Sequence, residues 1–490
     1  MLWGFIALLV HLAAIWFTLG FMQEDEHFQI LEFAGLKLGW TQPQLLPWEF
    51  ASRIRPALQP IMVLATSRFF SLLNPYIIAL IFRFFAGIFG WAVSLIFIYQ
   101  ASCKWENLSA KKNLYIFNAI FGFMAFFHAR FSSENMAGSF CFLGLSILLM
   151  LWNNPNFKRQ GVWFFLIGLA FGLATDCRIQ TLFIPLGIII WGLINRKFTP
   201  GGFLVLTLGG LMAIGVGIYA DYIFYDHTWI FTAYNYFQVN MIQGKAAAFG
   251  VLPWYWYFIG LGFVPFNPIG IILIVSFLYF IIRYPRSIFT WVCVPFLLVH
   301  FIIGHKELRF LYPLVDCCPF FIMFAMEDGI NYLKALRPKF GSYHQKIINS
   351  LFLIIALTSL PMCLKPANLE FNIFKTVQDK YPGRKVLLLG LHQWPFGINT
   401  PLPLMFYRPG KYPFARLDQS SQLDSCLKAY SQPLILYTYQ KGIHQPEIID
   451  SAHAQAKLLF CSAPEFLMKN NFNHWQERTT VLSIYEVYRK

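Results

Sequence analysis

The chain has 490 residues, 57% of them hydrophobic and only 12% charged, with 54 Phe, 15 Trp and 23 Tyr. Soluble domains carry about 25% charged residues, so this composition excludes a large water-soluble enzyme, and it equally excludes a disordered chain, which would be polar and charge-rich. The formal net charge of +15 suits either a nucleic-acid binder or a membrane protein with basic cytoplasmic loops; only the placement of the charges separates the two.

Residues 1–21 are apolar, without a basic n-region or a small-x-small cleavage site, and read as a retained first membrane helix. Apolar runs at 3–22, 77–100, 113–128, 136–152, 162–175, 179–194, 203–220, 256–282, 288–304, 309–326 and 347–364 give about eleven expected spans. The run 57–73 is too short to cross and reads as a helix lying along the interface. With the N-terminus in the cytoplasm, loops 101–112, 153–161, 195–202, 283–287 and 327–346 are cytoplasmic. They hold thirteen Lys or Arg against three acids (Glu106, Glu327 and Asp328), as the positive-inside rule demands. The charge therefore reports topology, and nucleic acid drops out as a partner. The sequon Asn107-Leu108-Ser109 falls on the same cytoplasmic side.

An odd number of spans puts residues 365–490 on the exoplasmic side (lumen or periplasm). Runs at 385–390, 433–439, 456–462 and 480–488 read as strands of a small α/β domain with a structural role. The chain thus reads as an all-α polytopic membrane region, 1–364, with a long first exoplasmic loop at 23–57 and an exoplasmic α/β domain at its C-terminus. Nine cysteines form no C-x-x-C pair, which argues against a zinc site or disulfide framework; Cys426 and Cys461 are the two placed to pair.

Ionisable residues near membrane ends are functional candidates because lipid makes them costly. Here they gather on the exoplasmic side. The first loop carries Glu24-Asp25-Glu26, Glu32, Glu49 and Arg55, and Arg83 lies inside the second span. Later turns carry His128-Ala129-Arg130 with Ser133-Glu134, then Asp176-Cys177-Arg178, then Pro253-Trp254-Tyr255-Trp256-Tyr257, then His305-Lys306-Glu307-Leu308-Arg309-Phe310. Taken singly, each has an ordinary explanation as an acidic cap, a carbonyl partner or an interfacial aromatic. Together, cations suit a phosphate, carboxylates suit a hydroxyl to be deprotonated, and aromatics suit sugar faces or a lipid chain. No phosphate-binding glycine loop, nucleotide fingerprint or D-x-D metal pair occurs among them. The expected substrate is a lipid-linked phosphate that enters from the bilayer, not a soluble nucleotide, with no cofactor and no metal.

These motifs resemble glycosyltransferase family 22 of the GT-C superfamily, the lipid-phosphate-mannose-dependent mannosyltransferases. Within it the likeness is strongest to the branch that adds the third mannose in GPI-anchor assembly. His305-Lys306-Glu307-x-Arg309-Phe310 followed by Pro313 is the most specific signature. Asp25-Glu26-x-x-Gln29-x-x-Glu32 with Trp48-Glu49 and Ile54-Arg55 is the second. Leu252 and Tyr255 stand where that branch has histidines, Ile179 follows Arg178 where Pro is common, and His27 replaces an aromatic.

The resemblance implies a GT-C fold and inverting transfer of mannose from a polyprenyl (dolichyl-type) phosphate to a lipid-linked glycan, with α-1,2 among the candidate linkages. It implies Asp25 as general base with Glu26 beside it. His305, Lys306, Arg309, Arg178 and Arg83 would receive the donor phosphate, while Glu307, Arg130, Glu134, Glu49, Arg55, Trp254 and Trp256 would line the acceptor or sugar groove. The membrane is the inner membrane in a bacterium or the endoplasmic reticulum in a eukaryote. A flippase of a lipid-linked sugar would need mid-bilayer polar sites and repeat symmetry, neither of which the sequence displays. A GT-C transferase using another lipid-phosphate sugar differs only in donor.

Overall fold

The computed structural model describes every residue except 1, 72–73, 155, 157, 264–267, 337–342, 383, 393–403, 408–412, 432, 443, 464 and 490, and the side chains of 465, 466 and 472. The chain forms two compact units. The first comprises Met1–Thr18, Trp48–Phe69 and Ile78–Lys365, and the second Leu19–Pro47, Phe70–Ile77 and Pro366–Lys490.

The first unit is helical. Among the described residues, five helices are long and apolar enough to cross a membrane: Pro75–Ser102, Ser133–Asn153, Gln160–Cys177, Pro200–Phe224 and His344–Leu364. Two further pairs, Ile269–Arg283 with Ile288–Ile302 and Leu308–Leu314 with Cys317–Leu336, bend by 118° and 74° at short breaks. Leu2–Phe17 and Ile179–Ile194 are shorter apolar helices. The chain is an integral membrane protein. Length and composition qualify five helices as spans, or up to seven with each bent pair counted once. Sequence reading expects about eleven, and local breaks account for much of the difference. The run 113–128, for example, is divided into Leu108–Ile120 and Gly122–His128 by Phe121, whose ψ of 72° is not helical. The run 57–73 forms a helix over Leu58–Phe69.

Local chemistry sets the helix starts. Asn107 and Ser132 accept hydrogen bonds from free amides of the helices they precede, and Thr199 does so ahead of Pro200 in the first turn. Glycine governs the tightest helix pair, Gln160–Cys177 against Pro200–Phe224. A Cβ on Gly168 would stand 1.9 Å from the Leu206 carbonyl oxygen, and one on Gly209 would stand 2.2 Å from that of Phe165. In lipid, where apolar burial drives no association, such backbone approach supplies the packing.

The second unit holds a five-stranded sheet: β1 Leu387–Leu391, β2 Phe414–Leu417, β3 Leu434–Lys441, β4 Ala454–Cys461 and β5 Thr480–Arg489. The order is β2-β1-β3-β5-β4; β1 runs parallel to β2 and β3, and β5 runs antiparallel to β3 and β4. Leu387, Leu389, Leu434, Leu436, Tyr485 and Val487 form its core with Leu423, Ile448 and Ile449 from two helices. Four strands fall on the four runs expected from sequence. The fifth, β2, is only four residues long, with Leu417 alone fully buried, too short for an alternation signal. Cys426 and Cys461 are both free thiols.

Two segments from the N-terminal third belong to this unit. Ala367 and Asn368 donate their amides to the Leu19 carbonyl, at 2.9 and 3.3 Å. The Tyr76 hydroxyl donates to the Phe371 carbonyl at 3.3 Å.

Candidate functional site

The site residues fall in both units. In the first unit, the segment Gly304–Phe310 follows the end of helix Ile288–Ile302. A helix end leaves carbonyls without intrahelical donors, and a cation there is favoured. Lys306 meets that need: its ammonium donates to the carbonyls of His300 (3.0 Å), Phe301 (2.9 Å) and Ile303. All three of its N–H groups are thereby used. Burial pushes this lysine below the ordinary lysine range.

Past Lys306 the backbone is extended at Glu307, and a 3-10 helix begins at Leu308. Arg309 grips Glu307 with both prongs, Nε to Oε2 and Nη2 to Oε1, each at 2.7 Å. This two-bond fork fixes the arginine more firmly than a single contact would. His305 Nε2 lies 3.0 Å from Glu307 Oε1, and Nδ1 lies 3.2 Å from the Gly250 carbonyl.

A second arm arrives from the start of helix Ser133–Asn153. Ser132 caps it, and Glu134 sits in the first turn, where the helix dipole favours a carboxylate. Glu134 Oε1 accepts from Arg178 Nη1 at 2.7 Å and lies 3.8 Å from Arg309 Nη1. Arg178 is brought there because helix Gln160–Cys177 ends one residue before it and its own backbone is extended. Both guanidiniums lie over the Phe310 ring, at 4.8 and 5.4 Å. Arg178, Glu134, Arg309, Glu307 and His305 thus form one connected chain of charge. Arg178 and Glu134 are 5% and 2% exposed, so the pair survives only because each charge is matched. Arg178 thus bonds Glu134, and Arg309 forks Glu307 with its remaining nitrogen 3.8 Å from Glu134.

Other residues expected at the site stand elsewhere in this unit. Arg130 is buried and donates to both the carbonyl (2.5 Å) and the hydroxyl of Thr18, tying the end of the first helix. Arg83 is buried on helix Pro75–Ser102. Glu49 and Arg55 pair with each other at 3.7 Å, and the Arg55 guanidinium lies 5.8 Å from the Tyr236 ring centre. Trp254 is exposed and touches Phe258 and Phe301, whereas Trp256 is half-buried beside Tyr257.

Sequence reasoning missed the groups that hold these residues. Asp221 accepts from the Ala57 amide (2.7 Å) and from Thr232 (2.9 Å), and the Tyr225 hydroxyl donates to the Arg55 carbonyl (2.8 Å). Asp221 ends an apolar run, which was the one available signal. His128, which the sequence did single out, lies 3.0 Å from His11 and 3.4 Å from Asp316, two buried residues that it did not, each more than 100 positions away.

In the second unit, Glu24, Asp25 and Glu26 form the first turn of a helical run that continues as a π-helix over His27–Glu32 and an α-helix over Phe33–Lys37. Three carboxylates in a first turn suit the positive end of the helix dipole. Asp25 and Glu26 are partly exposed, and the Met22 amide donates to Glu26 Oε2 at 3.4 Å. Among the described residues, no group of three or more His, Cys, Asp or Glu is arranged to hold a metal ion.

The sequence pattern of the Alg9-like mannosyltransferase family matches residues 1–379. The chain is similar to GPI alpha-1,2-mannosyltransferase 3 of Bos taurus, 26% identical over 61% of this chain and 53% of that protein. It is similar to GPI mannosyltransferase 3 of Candida albicans, 24% identical over 65% of this chain and 61% of that one. The chain thus spans little more than half the length of these curated relatives. A probable Dol-P-Man:Man(7)GlcNAc(2)-PP-Dol alpha-1,6-mannosyltransferase of Schizosaccharomyces pombe is 30% identical over 24% of this chain and 21% of that protein. Among solved structures, ArnT from Cupriavidus metallidurans bound to undecaprenyl phosphate superposes with a TM-score of 0.50. It covers 99% of this chain and 97% of that one at 12% identity, a likeness of fold.

Proposed function

The chain belongs to the Alg9-like mannosyltransferase family, and from that premise we propose that it transfers mannose from a polyprenyl (dolichyl-type) phosphate to a hydroxyl of a lipid-linked glycan. The family match over residues 1–379 carries the reading. The active side is exoplasmic, as the loop charges suggest, and about eleven segments cross the bilayer, as the apolar runs suggest. Residues 1–364 form the catalytic membrane region, and 365–490 form an exoplasmic domain. Relatives named for α-1,2 and for α-1,6 transfer both align, so α-1,2 is the preferred linkage on the number of such relatives.

The chemistry assigned to the residues is a single inverting displacement. Asp25 removes the proton of the acceptor hydroxyl, with Glu26 beside it orienting that hydroxyl. The oxygen attacks the anomeric carbon from the side opposite the phosphate, the carbon–oxygen bond to phosphate breaks, and a β-linked sugar becomes α-linked. The electron pair of the broken bond leaves on the lipid phosphate. Arg178 and Arg309, with His305, receive that charge as it develops, which is where preorganised cations lower a barrier most. Lys306, its protons already on carbonyls, contributes field rather than a direct contact. Glu134 and Glu307 hold the guanidiniums until phosphate replaces them as partner. Arg83, Arg130, Glu49, Arg55, Trp254 and Trp256 are assigned to substrate binding by resemblance. The reading uses no cofactor and no metal.

The test is transfer in vitro by purified protein, from polyprenyl-phosphate mannose to candidate lipid-linked glycans. Asp25→Asn is expected to lower turnover on the order of 10²–10⁴-fold while the protein still folds, the range for loss of a general base. Wild-type turnover in that variant would overturn the base. Success only with another sugar would overturn the donor.

A further inference from the structure

The π-helix that follows the acidic turn is held by one buried carboxylate. Glu32 is 0% exposed. Its Oε1 accepts from His27 Nε2 at 2.6 Å and from the backbone amide of Phe406 at 2.9 Å, while Oε2 accepts from the Thr41 hydroxyl. In an α-helix, residues five apart point about 140° away from each other. The i to i+5 register of a π-turn brings His27 and Glu32 together. The His27 ring is itself fixed, stacked on Tyr407 at 5.7 Å and 16° and met edge-on by Phe28 and Phe371. Gly35 makes the Thr41 contact possible, since a Cβ there would stand 2.6 Å from the Thr41 hydroxyl oxygen.

The partners of Glu32 are an imidazole, a hydroxyl and an amide, drawn from the first loop and from the C-terminal part of the chain. Both of its oxygens are occupied, so it is neither a free base nor a ligand for substrate. We infer that Glu32 is the positioning residue for the Asp25-Glu26 turn, and that Phe406 and Tyr407 complete the lock. The C-terminal segment is then a working part of the catalytic machinery through its contact with the base-bearing helix. This inference rests on the reading of Asp25 as base.

The discriminating substitution is Glu32→Gln. An amide oxygen at the Oε1 position keeps the His27 and Phe406 bonds, and the amide nitrogen can donate to the Thr41 oxygen, a hydroxyl that serves either way. Glu32→Ala instead leaves three buried donors without an acceptor. In full-length protein, Glu32→Ala is expected to lower kcat by about 10²-fold, the cost of a misplaced reacting group, with KM for polyprenyl-phosphate mannose unchanged. Amide exchange over residues 22–33 should speed up. Glu32→Gln should restore kcat to within about threefold and restore slow exchange, since it keeps the bonds and loses only the charge.

Tyr407→Leu, a milder break of the same lock, covers the case in which Glu32→Ala fails to fold. It should give several-fold lower kcat and faster exchange over 22–33. Loss of activity in Glu32→Gln equal to that in Glu32→Ala would overturn the inference, because the charge would then be acting in the chemistry. Unchanged exchange and kcat in both Glu32→Ala and Tyr407→Leu would overturn it as well. An active Asp25→Asn would remove the base assignment alone and leave the exchange result standing.

Discussion

Two buried glutamates, one in each unit, hold their partners in opposite ways. Glu134, in the membrane unit, faces two guanidiniums at 2.7 and 3.8 Å. Glu32, in the other unit, faces an imidazole, a hydroxyl and a backbone amide. A carboxylate opposite cations can be displaced by another anion, because guanidiniums pair with a phosphate as well as with a carboxylate. A carboxylate surrounded by donors that belong to the fold has no such exchange open to it, since each donor left alone costs about 1–3 kcal/mol. On the proposed reading, the first arrangement hands its partners to the donor phosphate and the second holds a segment still.

Among substitutions around the two glutamates, the largest expected effect comes from breaking the Glu134 side. Arg178→Met keeps the length and apolar body of the side chain but removes one of the two charges on Glu134. Turnover should fall on the order of 10²–10³-fold, as when one preorganised transition-state donor is lost. Steady-state kinetics with polyprenyl-phosphate mannose would check it. A change confined to KM would mean that Arg178 binds donor without stabilising the leaving phosphate, and the contrast with Glu32 would weaken.

The two halves were not equally legible in the sequence. The charged chain was, because Arg178, Glu134, His305, Glu307 and Arg309 are rare residue types at the ends of apolar runs, where cost marks them. The segments that became helices were legible for the same reason, through length and hydropathy. The Glu32 lock was only half visible. Glu32 stood in the acidic motif, but Phe406 contributes a backbone amide, and any residue carries one. The π-register likewise leaves no periodic signature, since it adds one residue to one turn. The strand Phe414–Leu417 escaped for want of length. The partners of Lys306 were hidden differently: a lysine beside arginines suggests phosphate, and the three carbonyls that its ammonium meets leave no mark in the sequence.

Lys306 provides a smaller break within the exchangeable half. Lys306→Met should destabilise the end of helix Ile288–Ile302 by about 1–3 kcal/mol, because carbonyls there lose their donors. The thermal midpoint in detergent should fall, and turnover of the protein that remains folded should fall less than in Arg178→Met. A turnover loss equal to that of Arg178→Met, with an unchanged midpoint, would instead make Lys306 a direct phosphate ligand.

The smallest effect tests how the fixed half divides its work. Thr41→Val removes the hydroxyl that meets Glu32 Oε2 and leaves Oε1 with both of its donors, His27 and the Phe406 amide. A single hydrogen bond of this kind contributes about 1 kcal/mol, more when the acceptor is charged. The midpoint should therefore drop slightly and kcat by less than about tenfold. In a Glu32→Ala background the same substitution should cost nothing further and relieve one unpaired donor, because partners of one carboxylate are coupled and not additive. Full additivity of the two would show that Thr41 supports the turn by another route, and the lock would then reduce to His27, Glu32 and Phe406.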